Sequence, residues 1–358
     1  MTLPRPEIDP ELRTLLAGMP LMSRLDPEIL AQLRQLPSTP PETFPDAPPV
    51  DRREVTAVGP DGVRIPLTVL HPAGTHQPTG THQPAGTHRP GAAPCVYWIH
   101  GGGMVMGDRF SNIDIPLEWL GRFGAVVVTV DYRLAPEATG STLVEDCYHG
   151  LTWTREHAGE LGIDPDRIVV AGASAGGGLA AGVTLLARDR GGPGIAGQLL
   201  ICPMLDHRNS SLSSRQFSAG PGVWTREMNE YGWRAVLGDR AGTGVPGYVS
   251  PAVADDLSGL PATYLDAGTA EVFRDEVIGY AGRIWAAGGQ AELHVWAGGF
   301  HGFDALYPRA RVSVQARRAR ADWLARHLAP PAGAQVPGPA RAGRGPDAAP
   351  GSAGQQAR

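Results

Sequence analysis

Three consecutive glycines follow directly on an apolar run. Cys95-Val96-Tyr97-Trp98 has the character of a buried strand, and Ile99-His100-Gly101-Gly102-Gly103 continues straight from it. Each glycine adds chain freedom that folding must remove, so neither strand nor helix formation gains from this arrangement. What it provides is bare backbone N–H groups with no side chain to shield them. Preorganised donors of that kind can stabilise a negative oxygen at the moment it forms. A plain flexible turn would also account for the run in a chain with 48 glycines. The motifs further along the chain decide against that reading.

The bulk composition narrows the class. A chain of 358 residues can bury one large core, or one core with an accessory lid, and its 42% hydrophobic content is ordinary for a folded protein. A net charge of -5 gives no reason to expect nucleic acid or an anionic membrane as a partner. All 31 basic residues are arginine. Schiff-base and phosphate-loop lysine chemistry are therefore excluded, and the Gly-Lys-Ser/Thr pattern of a nucleotide site is absent. Cys95, Cys147 and Cys202 are odd in number and widely spaced, which predicts free buried thiols. No cysteine pairs with a histidine at metal-ligand spacing, and neither metal nor organic cofactor is expected. Pro-rich, acidic Met1–Pro10 lacks the basic start and apolar run of a signal peptide, and no apolar stretch reaches membrane-spanning length. The expected setting is soluble and cytoplasmic.

Along the chain, residues 1–50 hold two short helical patterns, Pro10–Gly18 and Asp26–Leu36, each opened by Asp-Pro, and then a proline-rich linker. Residues 51–205 and 250–329 read as the two parts of one core. Strands are predicted at Arg53–Val58, Val63–Leu70, Cys95–Ile99, Ala125–Val130, Arg167–Ala171, Gln198–Cys202, Ala262–Asp266 and Glu292–Trp296. Helices are predicted at Ile115–Arg122, Thr142–Leu161, Ala175–Arg190, Asp275–Ala287 and Tyr307–Leu328. Such alternation argues for an α/β fold with a mostly parallel central sheet covered by helices on both faces. Residues 206–249, rich in serine, glycine and aromatics, break the alternation and read as an inserted cap. A hexapeptide repeat at 74–91 carries His76, His82 and His88, but a Gly/Pro-punctuated tract fixes no coordination sphere and is expected to be disordered. The Ala/Gly/Pro/Arg tail, 330–358, is expected to be disordered too.

Gly172-Ala173-Ser174-Ala175-Gly176 lies between a strand and an alanine-rich helix. A turn this tight strains its central residue and tolerates only small neighbours two positions either side. The Ser174 oxygen is then pushed clear of the sheet, with the Ala175 N–H aimed at the same spot from the helix start. A serine hydroxyl needs a base to become nucleophilic. Of eleven histidines, His301 is the candidate, because it follows the final strand in the glycine-flanked loop Gly298-Gly299-Phe300-His301-Gly302-Phe303. His207, at the start of the cap, is its rival; His100 is expected to shape the glycine loop. The acid that orients the imidazole is sought after the strand Ala262–Asp266. Glu271 sits in that loop, Asp275 and Glu276 fall in the next helical turn, and Asp266 ends the strand; Glu271 is preferred.

Five blocks in this order, His100-Gly101-Gly102-Gly103, Asp131-Tyr132-Arg133-Leu134-Ala135-Pro136-Glu137, Gly172–Gly177, Phe273-Arg274-Asp275-Glu276 and His301-Gly302-Phe303, resemble the hormone-sensitive-lipase family of α/β-hydrolases. The resemblance covers roughly residues 50–329. It implies an α/β-hydrolase fold with a helical cap and a Ser174–Glu271–His301 triad. Gly102, Gly103 and Ala175 would be the oxyanion donors, with His100, Gly101, Gly172 and Gly176 supporting the motifs. Two departures stand out: Ala173 replaces the family's usual aspartate or threonine, and Glu271 its usual aspartate. The Asp131–Glu137 block is expected to brace the glycine loop. The implied activity is hydrolysis of short- to medium-chain acyl esters, small molecules rather than emulsified fats. An amidase or deacetylase with the same triad, or a silent small-molecule receptor on the same scaffold, are the alternatives. A homodimer through an exposed edge near Glu292–Trp296 is also open.

Overall fold

Strands form where valine-rich runs can be buried on both faces, and these runs set the sheet. The computed structural model describes residues 3–60, 62–75, 92–238 and 244–329. The repeat histidines His76, His82 and His88 and the 330–358 tail lie outside the described residues. Eight strands form one sheet: β1 Val50–Val58, β2 Arg64–Pro72, β3 Ala93–Ile99, β4 Val126–Val130, β5 Ile163–Ala173, β6 Gly197–Ile201, β7 Thr263–Ala270 and β8 Ala291–Phe300. Their order is β1-β2-β4-β3-β5-β6-β7-β8. The first two pairings, β1 with β2 and β2 with β4, are antiparallel; every later pairing is parallel.

The helices are α1 Pro10–Leu16, α2 Pro27–Leu33, α3 Asp114–Phe123, α4 Thr142–Glu156, α5 Ala158–Leu161, α6 Ala175–Asp189, α7 Leu212–Gln216, α8 Arg226–Leu237, α9 Arg274–Ala286, α10 Phe303–Leu306 and α11 Arg311–His327. Strand β3 feeds both faces by simple alternation. Cys95, Tyr97 and Ile99 join a cluster with Leu151 of α4, Leu179 of α6 and Tyr280 of α9. Val96 and Trp98 join another with Trp119 of α3 and Trp323 of α11. Trp98 meets Trp119 edge-on at 6.0 Å between centroids. Each such side chain contributes roughly 1.5–3 kcal/mol through its burial.

The Asp-Pro starts behave as their chemistry requires. Asp9 accepts the N–H groups of Glu11 and Leu12, and Asp26 accepts that of Ile29. Two predicted helices differ from expectation. Thr142–Leu161 breaks at His157 into α4 and α5, and Tyr307–Leu328 begins only at Arg311, preceded by the short α10. Strand β5 starts four residues earlier than predicted, because Ile163 pairs with Ala93 across a bulge. No helix among the described residues is long and apolar enough to cross a membrane.

Candidate active site

Parallel strands that point one way bring the loops at their carboxyl ends into one crevice. Here the glycine run follows β3, Ser174 follows β5, Glu271 follows β7 and His301 follows β8. Ser174 has φ 57° and ψ -121°, a strained conformation for any side-chain-bearing residue. It is held there by its own N–H donating to Ile201 O at 2.8 Å and by the Met204 N–H donating to Ser174 O at 2.9 Å. The turn closes only because Gly176 lacks a side chain. A Cβ there would lie 2.0 Å from Ile99 O, against the strand that carries the glycine loop.

The nucleophile, base and acid readings meet in one line of contacts. Ser174 Oγ is 2.9 Å from His301 Nε2, and His301 Nδ1 is 2.7 Å from Glu271 Oε2. The other Glu271 oxygen accepts the Gly268 N–H at 2.7 Å, fixing the carboxylate. With Nδ1–H donated to a carboxylate, Nε2 presents its lone pair to the serine hydroxyl. Glu271 is 2% exposed and His301 8%; in this low-dielectric setting the charged imidazolium would be stabilised directly by Glu271. The Phe273 ring stands edge-on to the imidazole at 5.1 Å and keeps it from turning away.

The rivals are engaged elsewhere. His207 Nδ1 lies 3.0 Å from Ser250 Oγ. Asp275 accepts the Ser213 N–H at 2.7 Å, and Glu276 accepts the Leu205 N–H at 2.7 Å. Burial pushes the Glu276 carboxyl well above the usual range. Asp266 lies inside β7 rather than at its end and pairs with Arg320 of α11 at 2.7 Å.

The glycine loop faces the serine. A Cβ on Gly101 would stand 3.4 Å from Ser174 Cβ, and one on Gly102, at φ 110°, would be 2.0 Å from Met106 O. The N–H groups of Gly102 and Gly103 donate to no backbone or side-chain acceptor among the described residues. That of Ala175 opens α6, where a helix leaves its donors unpaired. Gly102 and Gly103 line the same cavity as Ser174, and unpaired backbone donors in such a place are able to hold a developing oxyanion. His100 shapes the loop as expected: its Nδ1–H donates to Gly101 O at 2.8 Å, and its ring stacks on Tyr132 at 4.2 Å. Burial pushes the His100 imidazole down to about 4, so it stays neutral. The Asp131–Glu137 block braces the same loop. The Tyr132 hydroxyl donates to His100 O, the Ala135 N–H to Met104 O, and Arg34 links Val105 O, Ala135 O and Glu137.

A cavity of about 310 Å³ opens onto Ser174, His301 and the glycines. Met19, Met22 and Leu25 from the N-terminal segment and Val223, Trp224 and Met228 from the segment between β6 and β7 wall it. The two segments are joined, with Gly222 N–H donating to Met22 O at 2.9 Å and Thr225 Oγ1 to Ser23 O at 2.8 Å.

Two features escaped the sequence reading. Fully buried Arg320 bridges Asp266 of β7 and Asp304, three residues past His301, tying the acid-bearing and base-bearing loops to α11. Its signal was present: Ala316, Arg320, Trp323 and Leu324 repeat at helical spacing along a buried stripe. The second is the position of Cys202: free and buried as expected, it also lines the cavity beside Ser174 and His301.

Comparison with known proteins agrees with the geometry. An alpha/beta hydrolase fold family pattern matches residues 96–305. The carboxylesterase NlhH of Mycobacterium tuberculosis is 35% identical over 299 residues, spanning 82% of this chain and 87% of the relative. The esterase LipI of the same organism is 32% identical over 312 residues, spanning 86% and 92%. Among solved structures, a bacterial heroin esterase superposes with a TM-score of 0.77 at 36% identity, covering 90% of this chain and 98% of that one. By sequence pattern, relatives and architecture alike, this chain belongs to the α/β-hydrolase-fold family, as its resemblance to the hormone-sensitive-lipase group implied.

Proposed function

We propose that this protein is a serine carboxylesterase working through an acyl-enzyme. His301 Nε2 takes the Ser174 proton as Oγ attacks the ester carbonyl, and Glu271 stabilises the imidazolium. The oxyanion is held by the N–H groups of Gly102, Gly103 and Ala175; losing one such donor typically costs about 3 kcal/mol of barrier. His301 then protonates the leaving alcohol, and water repeats the sequence on the acyl-serine. Residues 1–50 and 206–249 act together as a cap. The apolar, methionine-rich wall of the cavity favours short- to medium-chain acyl groups, since thioether side chains adapt to several shapes.

The observation that carries this reading is the unbroken Ser174–His301–Glu271 line, 2.9 and 2.7 Å. Ser174→Ala is expected to lower p-nitrophenyl butyrate turnover by on the order of 10⁴-fold or more; near-normal turnover would overturn it. Side-by-side p-nitrophenyl acetate and p-nitroacetanilide assays separate an esterase from an amidase, with the ester expected to react much faster. A cytoplasmic setting fits the three free, buried cysteines. Pairing of two copies through the β8 edge, testable by size-exclusion chromatography with light scattering, completes the proposal.

A further inference from the structure

Five neighbouring parallel strands end at the crevice, and four of them supply the proposed chemistry. The fifth, β6, is followed directly by Cys202, which that mechanism does not use. Cys202 has φ 35°, a left-handed conformation uncommon for a side-chain-bearing residue, and it lines the cavity with Ser174 and His301. One ligand atom each from Cys202, Glu271 and His301 lies within 4.8 Å of the others. A thiol, an imidazole and a carboxylate are the donor set that Zn²⁺ takes, at about 2.0–2.3 Å per bond.

We infer that Cys202, His301 and Glu271 form an inhibitory site for Zn²⁺ and similar thiophilic divalent cations, which silences the enzyme by occupying its general base. The inference rests on the esterase reading above. Either imidazole nitrogen gives the same outcome. An ion on Nε2 consumes the lone pair that would take the Ser174 proton. An ion on Nδ1 replaces the hydrogen bond to Glu271 and leaves the remaining proton on Nε2, which then cannot accept another. The Cys202 thiol proton passes to solvent as the Zn–S bond forms, and no oxidant or reductant is involved.

The test is a Zn²⁺ titration of p-nitrophenyl butyrate hydrolysis, each protein normalised to its own zinc-free rate. Wild type should lose most of its rate at micromolar free Zn²⁺ and recover with EDTA. Cys202→Ala and Cys202→Ser should each raise the half-inhibiting concentration at least tenfold. A readout without turnover is the near-ultraviolet thiolate-to-cobalt absorption on adding Co²⁺, present in wild type and absent in both variants. Cys95 and Cys147 are fully buried in the core and cannot supply it. Equal zinc sensitivity in wild type and variants, or no cobalt–thiolate band in wild type, overturns the proposal. A cobalt band in a protein that hydrolyses no ester would instead retain the metal site and remove the esterase reading.

Discussion

The two halves of the candidate site are built by opposite means. The half after β3 and β5 is made by leaving side chains out. Gly176 lets the Ser174 turn touch Ile99 O, Gly102 lets its loop fold onto Met106 O, and what faces substrate is backbone. The half after β7 and β8 is made by burying charge. Glu271, His301, Asp266, Asp304 and Arg320 are all under 9% exposed, and Arg320 ties the two loops together. Preorganised amides need rigidity and close approach, which small residues give. An imidazole that gains and loses a proton needs neighbours that hold its tautomer, which only polar groups provide.

Perturbing each half should therefore fail differently. Arg320→Met leaves two buried carboxylates facing each other without a cation and should cost about 3–5 kcal/mol in urea unfolding. Adding Asp266→Asn and Asp304→Asn should recover most of that loss; no recovery would mean that Arg320 acts by packing rather than charge. Gly176→Ala should cost about 3 kcal/mol, at the upper end of overpacking effects, because the opposing atom is backbone and cannot step aside. No charge change elsewhere should rescue it. An unfolding midpoint equal to wild type would remove the close-approach account of the turn.

The smallest effect concerns pH. His100, whose imidazole is held down at about 4 against an ordinary 6.5, is neutral when folded but protonates when unfolded. The unfolded state thus binds more protons in this window, so stability rises with pH, and lowering pH from 6.5 to 5 should remove about 1.5 kcal/mol. Glu276, raised by burial, contributes with the opposite sign. The clean measurement is the difference between the pH–stability profiles of wild type and His100→Asn. Parallel profiles would contradict the neutral, buried assignment.

The same division explains what could be read from sequence. A half built from missing side chains writes itself into local sequence: His100–Gly103 and Gly172–Gly176 are short, contiguous and hard to explain otherwise. The other half is assembled from positions far apart in the chain. Glu271 was legible by its place in a loop, and His301 by the glycines around it. Asp266 read as a strand end because the β7–β8 ladder runs on through Gly268 opposite Trp296, which local pattern does not show. Arg320 was lost among arginines although its spacing marked a buried stripe. Cys202 and His301 are too far apart in sequence for any spacing rule to join them; only the sheet order does so.

The central claim is that Ser174 is made reactive by His301. A fluorophosphonate probe followed by peptide mass mapping tests it most directly. The account predicts one adduct per chain, on Ser174, forming orders of magnitude more slowly in His301→Gln. An adduct on another residue, or labelling of Ser174 at an unchanged rate without the imidazole, would contradict it.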